Sequence, residues 1–336
     1  GAGDDKLYGG DGNDTLDGGT GFDFLWGGDG DDTYIINSAT FHIWDTGGND
    51  TAIVNVDFAK IPSFIENITY ADGVQPLPYW ISALLFDRAA GYSWYVGDSK
   101  TFNFGFPDAI PGYVSDNPEN SDKHSDGWES FNSEQRTFSR TALEYVASIT
   151  ALSFVEVTIF DTYNTITFAS NDQGNESAGY AERPHMKLVD DEDRYYGSDI
   201  YFNIYNSDGS KITNGNIDPQ EQDRSAHVWI HEIGHALGLK HPFEKNSDGE
   251  VVGTPPFLSS EEDVGEWTQQ TYNETSDQYY LVFSPLDIAA LHYLYGPNPA
   301  SRAGDNTYDY SSTGANFIWD GAGTDTIDAS SATEKV

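Results

Sequence analysis

Over residues 1–35 the apolar positions come round every ninth residue. Leu7, Leu16, Leu25 and Tyr34 hold the same place in the segments GAGDDKLY, GGDGNDTLD, GGTGFDFLW and GGDGDDTYI, each behind a glycine-rich turn. Each short apolar run predicts a strand, and the fixed nonapeptide period predicts stacked parallel turns, a β-roll. Short β-type runs continue at Ile35-Ile36, from Thr51 to Val54 and from Ile65 to Ile68, separated by turn clusters such as Gly47-Gly-Asn-Asp50. Pro76 and Pro78 mark a boundary. Beyond them the pattern changes to a helical period, with Phe138, Ala142, Tyr145, Val146 and Ile149 on one face behind Ser133, the expected N-cap. Strands are predicted over 154–157, 165–169 and 199–204. A late helix starts at the cap and first-turn pair Ser284-Pro285 and stops at Gly296. From Arg302 onward turn-and-strand composition returns, most clearly over 319–325.

The N-terminal turns also carry Asp5, Asp14, Asp23 and Asp32 at nine-residue spacing. Carboxylates are hard oxygen ligands, and glycines let backbone carbonyls approach closely, so the stacked turns read as calcium sites. Asp11 and Asp29 of the same turns are further candidate ligands. Without a cation the stacked carboxylates repel one another. Composition sharpens this reading: 16 Lys and Arg against 55 Asp and Glu give a net charge of −39. Such a charge attracts divalent cations and repels phosphate and anionic lipid, which argues against nucleic-acid or membrane-surface partners. The absence of cysteine excludes disulfides and thiolate zinc sites, leaving oxygen or imidazole to hold any ion. No run reaches the roughly 18 apolar residues of a membrane helix. No signal peptide precedes Gly1 and no Met begins the chain, so a processed piece or fragment is expected.

Residues 231–241 read HEIGHALGLKH. His231 and His235, four apart, point from one helical face, where two neutral imidazoles can share a zinc ion at about 2 Å. Glu232 is placed beside the first ligand to take a proton from zinc-bound water. Gly238 permits a sharp, left-handed helix end that swings His241 back as third ligand. Three protein ligands leave a fourth position open, the mark of a catalytic zinc site. His227 shares the face but lies outside this complete set and reads as support; His42, His124, His185 and His292 have no metal spacing.

The eleven-residue motif resembles that of the metzincins, and Pro242 after the third His resembles the serralysins. The nonapeptides are similar to RTX repeats, which accompany serralysins. Ser177-Ala-Gly-Tyr180, Leu286-Asp-Ile-Ala-Ala290 and Leu294-Tyr-Gly296 extend the likeness over most of residues 79–336. It implies an α+β metzincin catalytic domain, with a zinc helix and a twisted sheet, flanked by calcium-binding parallel β-roll and β-strand regions. The expected divisions are a roll over 1–36, a β capping region over 37–75, the catalytic domain over 76–298 and the start of a C-terminal calcium-binding β region over 299–336. The resemblance also implies a Met-turn with a tyrosine two residues on that ligates zinc and swings to stabilise the tetrahedral oxyanion. The sole Met, Met186, is upstream of the zinc helix, and the best match, Thr268 to Asn273, puts Gln270 at the Met position and Tyr272 at the tyrosine, with Tyr279 and Tyr280 as rivals. It implies a further calcium site at Arg302, Gly304, Asn306, Asp320, Ala322 and Asp325, Asn306 standing where the family has Thr.

Two functions follow as expectations. One is a secreted zinc endopeptidase, a bacterial monomer exported by type I secretion, whose acidity suits a saline or marine setting. It would act on protein or peptide substrates paired with an edge strand over 199–204, and would meet a proteinaceous inhibitor. The alternative is a non-catalytic, calcium-dependent adhesin or secretion module carrying a degenerate protease domain.

Overall fold

The computed structural model describes residues 1–87, 99–112, 124–160, 164–174, 177–182, 185–189, 193–212, 215–245, 253–273, 279, 281–309, 320 and 322–330. Its N-terminal part is a coil of parallel strands in two sheets. One sheet holds β1 (Lys6–Asp11), β3 (Asp23–Asp29) and β5 (Phe41–Trp44); the other holds β2 (Thr15–Asp17), β4 (Thr33–Ile36), β6 (Thr51–Val54) and β7 (Asn67–Tyr70). Leu7 pairs with Leu25, Leu25 with Ile43, Leu16 with Tyr34 and Tyr34 with Ala52. Because side chains alternate across each strand, this register stacks Leu16, Leu25, Tyr34, Ile36, Ile43 and Val54 in one buried core between the sheets. On the outer face Tyr8, Trp26 and Trp44 stack ring on ring at 4.4 and 4.6 Å. The expected boundary at residue 36 is not an architectural one. β5, β6 and β7 extend the same two sheets in parallel, so residues 37–70 continue the coil with a changed repeat composition.

After a short helix α1 (Tyr79–Ser82), a second layer system begins. Six strands form its sheet: β8 (Thr101–Gly105), β9 (Ser153–Glu156), β10 (Thr165–Asn171), β11 (Gly179–Ala181), β12 (His185–Val189) and β13 (Asp193–Asn203). β9, β8, β10 and β13 run parallel, whereas β11 and β12 lie antiparallel along the outer side of β13. All seven residues of β10 are buried, as expected of a central parallel strand. Three helices pack with this sheet: α2 (Ser133–Ile149), α3 (Arg224–Ala236) and α4 (Pro285–Tyr295). Trp229 of α3 stacks on Phe202 of β13 with centroids 3.6 Å apart and donates to Ser139 Oγ of α2 at 2.9 Å, joining three elements. The N-cap of α2 is Asn132, not Ser133. Its side chain accepts from the Gln135 N–H and the Gln135 side chain accepts from the Asn132 N–H, a capping box. Ser284 caps α4 as expected. The chain closes with β14 (Thr307–Asp309) and β15 (Thr326–Asp328), a parallel pair. No helix among the described residues is long and apolar enough to cross a membrane.

Candidate metal centres

Helix α3 carries His231 and His235 one turn apart and ends at the C-cap Leu237. Gly238 has φ +101°, a value side-chain-bearing residues avoid, and there the chain reverses. Lys240 N–H then donates to Leu84 O at 2.8 Å, and His241 returns to the helix face. The three Nε2 atoms form a triangle of 3.1, 3.1 and 3.2 Å. Nitrogens bound tetrahedrally to one zinc at about 2.0–2.1 Å stand about 3.3 Å apart, so the set fits that ion. Second contacts fix the tautomers: His231 Nδ1–H donates to Gln269 O at 2.7 Å and His235 Nδ1–H to Leu239 O at 2.9 Å. That leaves their Nε2 lone pairs converging on one point. Burial first, and the neighbouring imidazoles second, hold His231 and His241 well below the ordinary histidine range, hence neutral and ready to ligate.

The turn over 268–273 supports this triangle from below. Gln269 receives His231 through its carbonyl and His227 Nδ1 through its side chain, at 2.9 Å, so His227 is bound as support. Asp287 of α4, fully buried, accepts from Thr268 Oγ1 at 2.6 Å, Gln269 N at 2.7 Å and Ser284 N at 3.0 Å, and so fixes the turn. Gln270 lies under the helix; its Nε2 donates to His231 O at 3.3 Å, while its buried Oε1 meets no donor among the described residues. A Cβ at Gly234 would run into Gln270 Nε2, so glycine there admits the turn. The Tyr272 ring lies 4.7 Å from that of His241 and 5.9 Å from that of His231. Burial, then the Glu232 charge, push its hydroxyl up to about 12. Tyr279 sits against His227 instead, with ring centroids 6.0 Å apart, and Tyr280 lies outside the described residues.

The histidines open onto a cleft of about 570 Å³ lined also by Glu232, Tyr272, Phe86, Lys240 and the β11 residues Gly179, Tyr180 and Ala181. The strand expected at the cleft edge over 199–204 is interior. Residues 199–203 belong to β13 and pair with β10 on one side, while residues 200–202 pair with β11 on the other. The edge facing the cleft is therefore β11, a three-residue strand too short for the sequence pattern to reveal.

In the roll, carboxylates stack from turn to turn. Asp23 Oδ1 accepts from Asp5 N at 3.0 Å, Asp32 Oδ1 from Asp14 N at 2.8 Å and Asp50 Oδ1 from Asp32 N at 2.9 Å. Burial, together with neighbouring aspartates, pushes Asp23 and Asp50 up from the usual carboxylate range. Asp32, Asp45 and Asp50 converge within 4.8 Å, and the buried Asp32 Oδ2 meets no donor among the described residues. Carboxylates gathered so closely suit a hard cation. Asp45 and Asp50 escaped the sequence reading. Asp50 continues the spacing of Asp14 and Asp32 and was legible, whereas Asp45 stands where the preceding turn has Gly27 and carries no periodic signal. Asp11 and Asp29 lie exposed on paired strand ends, outside the ladder. At the C-terminal end Asp320 accepts from Ala322 N at 3.0 Å and from the Tyr308 hydroxyl, Asp325 from Asn306 N at 2.9 Å, and Asp305 from Thr324 N at 2.8 Å. The Asn306 amide faces the carbonyls of Gly304 and Arg302 at 2.6 and 3.0 Å. The six expected positions are thus brought together, Asp305 is added, and Trp319 and Gly321 lie outside the described residues.

A three-histidine triangle with an adjacent glutamate suits a zinc ion with an open coordination position, and the carboxylate-stacked turns suit calcium. Comparison with known proteins agrees. The matrixin family matches residues 124–248, and the RTX calcium-binding nonapeptide repeat matches residues 1–25, 8–35 and 310–332. Serralysin of Proteus mirabilis is 31% identical over 232 residues, covering 60% of this chain and 45% of its own. Serralysin of Photorhabdus luminescens is 28% identical over 249 residues, 66% of this chain and 48% of its own, and serralysin B of Dickeya chrysanthemi 31% over 218 residues, 57% and 42%. The chain spans about half the length of the curated relatives it matches. The chain is thus similar to the serralysin-like metzincins with RTX repeats, and zinc for the matrixin domain and calcium for the repeats are its cofactors.

Proposed function

We propose that the chain is a secreted endopeptidase that hydrolyses peptide bonds at His231, His235 and His241, with Glu232 as general base. The convergence of three Nε2 lone pairs beside Glu232 in one cleft carries this reading. An extended peptide adds as a strand to β11, and a proteinaceous inhibitor would use the same edge. Zinc bound by the three imidazoles supplies a Lewis acid for the scissile carbonyl and lowers the pKa of its water. Glu232, 5% exposed, takes the proton of the attacking water and passes it to the leaving amine. Tyr272, whose raised pKa keeps its hydroxyl protonated, donates to the developing oxyanion, a kind of contact worth about 3–4 kcal/mol. In the roll, Asp5, Asp14, Asp23, Asp32 and Asp50, joined by Asp45, hold calcium between turns; Arg302, Gly304, Asn306, Asp320, Ala322 and Asp325 form the C-terminal counterpart. Low cytosolic calcium then leaves the roll unfolded for type I export, and external calcium orders it.

Casein hydrolysis with and without chelator, beside Glu232→Ala, tests the proposal. Activity should disappear in both cases, and activity surviving either treatment would overturn it. Stoichiometric zinc together with peptide cleavage would rule out the adhesin reading, whereas bound calcium alone would leave it standing.

A further inference from the structure

The roll meets the segment beside the candidate zinc site at the Asp87 carboxylate. The connection between β6 and β7 carries Lys60, whose side chain is fully buried, and Ser63. Both grip Asp87: Lys60 Nζ lies 3.2 Å from Oδ1, Ser63 N–H donates to Oδ1 at 3.0 Å and Ser63 Oγ to Oδ2 at 2.7 Å. Asp87 ends the segment that follows α1, and that segment pairs with the loop carrying the third histidine. Leu85 and Leu239 form an antiparallel bridge, Leu84 O accepts from Lys240 N at 2.8 Å and Gly238 O from Phe86 N at 3.4 Å. Phe86 lines the cleft with its ring 6.3 Å from that of His235. Lys240 in turn donates to Thr254 O at 2.6 Å and Pro256 O at 3.1 Å, tying the same loop to the opposite cleft wall.

His241 is the one ligand off the helix, so its place depends on what holds residues 238–240. Those residues are held by segment 84–86, and the end of that segment is held by the roll. We propose that Asp87 is a positioning residue for the zinc site: gripped by Lys60 and Ser63, it makes docking of the N-terminal roll a determinant of zinc affinity. This rests on the assignment of His231, His235 and His241 as zinc ligands. Whatever orders the roll therefore tightens zinc binding, and by linkage zinc stabilises the docked roll to the same degree.

The test is zinc affinity of the full chain, measured by competition with a chromophoric chelator at millimolar and at micromolar free calcium. In the unaltered chain the zinc dissociation constant should rise about tenfold at low calcium. Asp87→Ala should raise it about tenfold at high calcium and abolish the calcium response. Asp87→Asn, which keeps one oxygen acceptor for Ser63 but turns the other into an NH2 donor and loses the charge pair, should fall between them and serves if the alanine variant does not fold. Tyr293→Phe removes another roll contact, the 2.8 Å bond to Phe58 O, while leaving the Asp87 side chain in place, and should raise the zinc dissociation constant by less than Asp87→Ala does. Unaltered zinc affinity and an intact calcium response in a folded Asp87 variant would overturn the proposal, as would an equal loss in Tyr293→Phe. Failure of the unaltered chain to bind zinc would instead overturn the ligand assignment itself.

Discussion

Gln270 stands where the resemblance to the metzincins leads one to expect Met, and its cost is legible in its atoms. An amide replaces a thioether beneath the ligands, and its Oε1 is buried with no donor among the described residues. An unsatisfied buried acceptor costs about 1–3 kcal/mol. Gln270→Met removes that acceptor at similar volume, so the unfolding free energy from urea titration should rise by about 1 kcal/mol with zinc affinity retained. A fall would mean that the Nε2 bond to His231 O outweighs the orphan oxygen. Tyr272 tests the other side of the site. Tyr272→Phe keeps the ring against His241 and Phe243 and removes only the donor, so kcat should drop about a hundredfold with KM little changed. Loss confined to KM would assign the hydroxyl to substrate binding. The proposed zinc ligands His231 and His235 were readable from spacing because a helix fixes the i, i+4 geometry locally. Gln269, which holds two of the histidines, was not, since its role comes from a contact 38 residues away in the chain.

At the scale of elements, the start of α4 and the turn under the zinc site are one unit joined by Asp287. Desolvation pushes Asp287 up to about 7, and the three donors around it pull the other way. Its folded value lies above its unfolded one, so between the usual carboxylate range and about pH 7 the folded chain keeps a proton that the unfolded chain has released. Stability therefore falls as pH rises through that window. Asp287→Asn has no proton to lose, and thermal midpoints at pH 5 and pH 8 should differ less in it than in the unaltered chain. An equal difference in both would place the pH dependence elsewhere. The helices were largely legible because their apolar period and caps are local. Even the Asn132 cap had its signal, since Gln135 stands three residues on and completes a capping box, whereas three residues beyond Ser133 is Arg136. Edge order was not legible. Which strand of the sheet faces the cleft is decided by β11 folding back onto β13, a pairing that no local period encodes.

At the scale of the whole molecule, a two-sheet coil bearing stacked carboxylates is joined to a mixed α and β domain, under a net charge of −39. Removing calcium should unfold the coil while leaving much of the helical signal of residues 133–149, 224–236 and 285–295 in place. Far-UV circular dichroism during a calcium titration of the full chain reads this out, and a β signal indifferent to calcium would refute the calcium role of the ladder. The coil's register was legible as far as the nonapeptides run and became obscure where their glycines and aspartates thin out, although β5 to β7 keep the pairing. That parallel register makes each rung a template for the next, so the coil behaves as a one-dimensional zipper rather than a cooperative globule. Burial rises along it: β1 and β2 are mostly exposed, whereas β4 and β6 carry buried residues at every second position. Opening should begin at β1 and travel inward, so amide exchange should slow progressively from β1 toward β6, with calcium lifting the protection of each rung in turn.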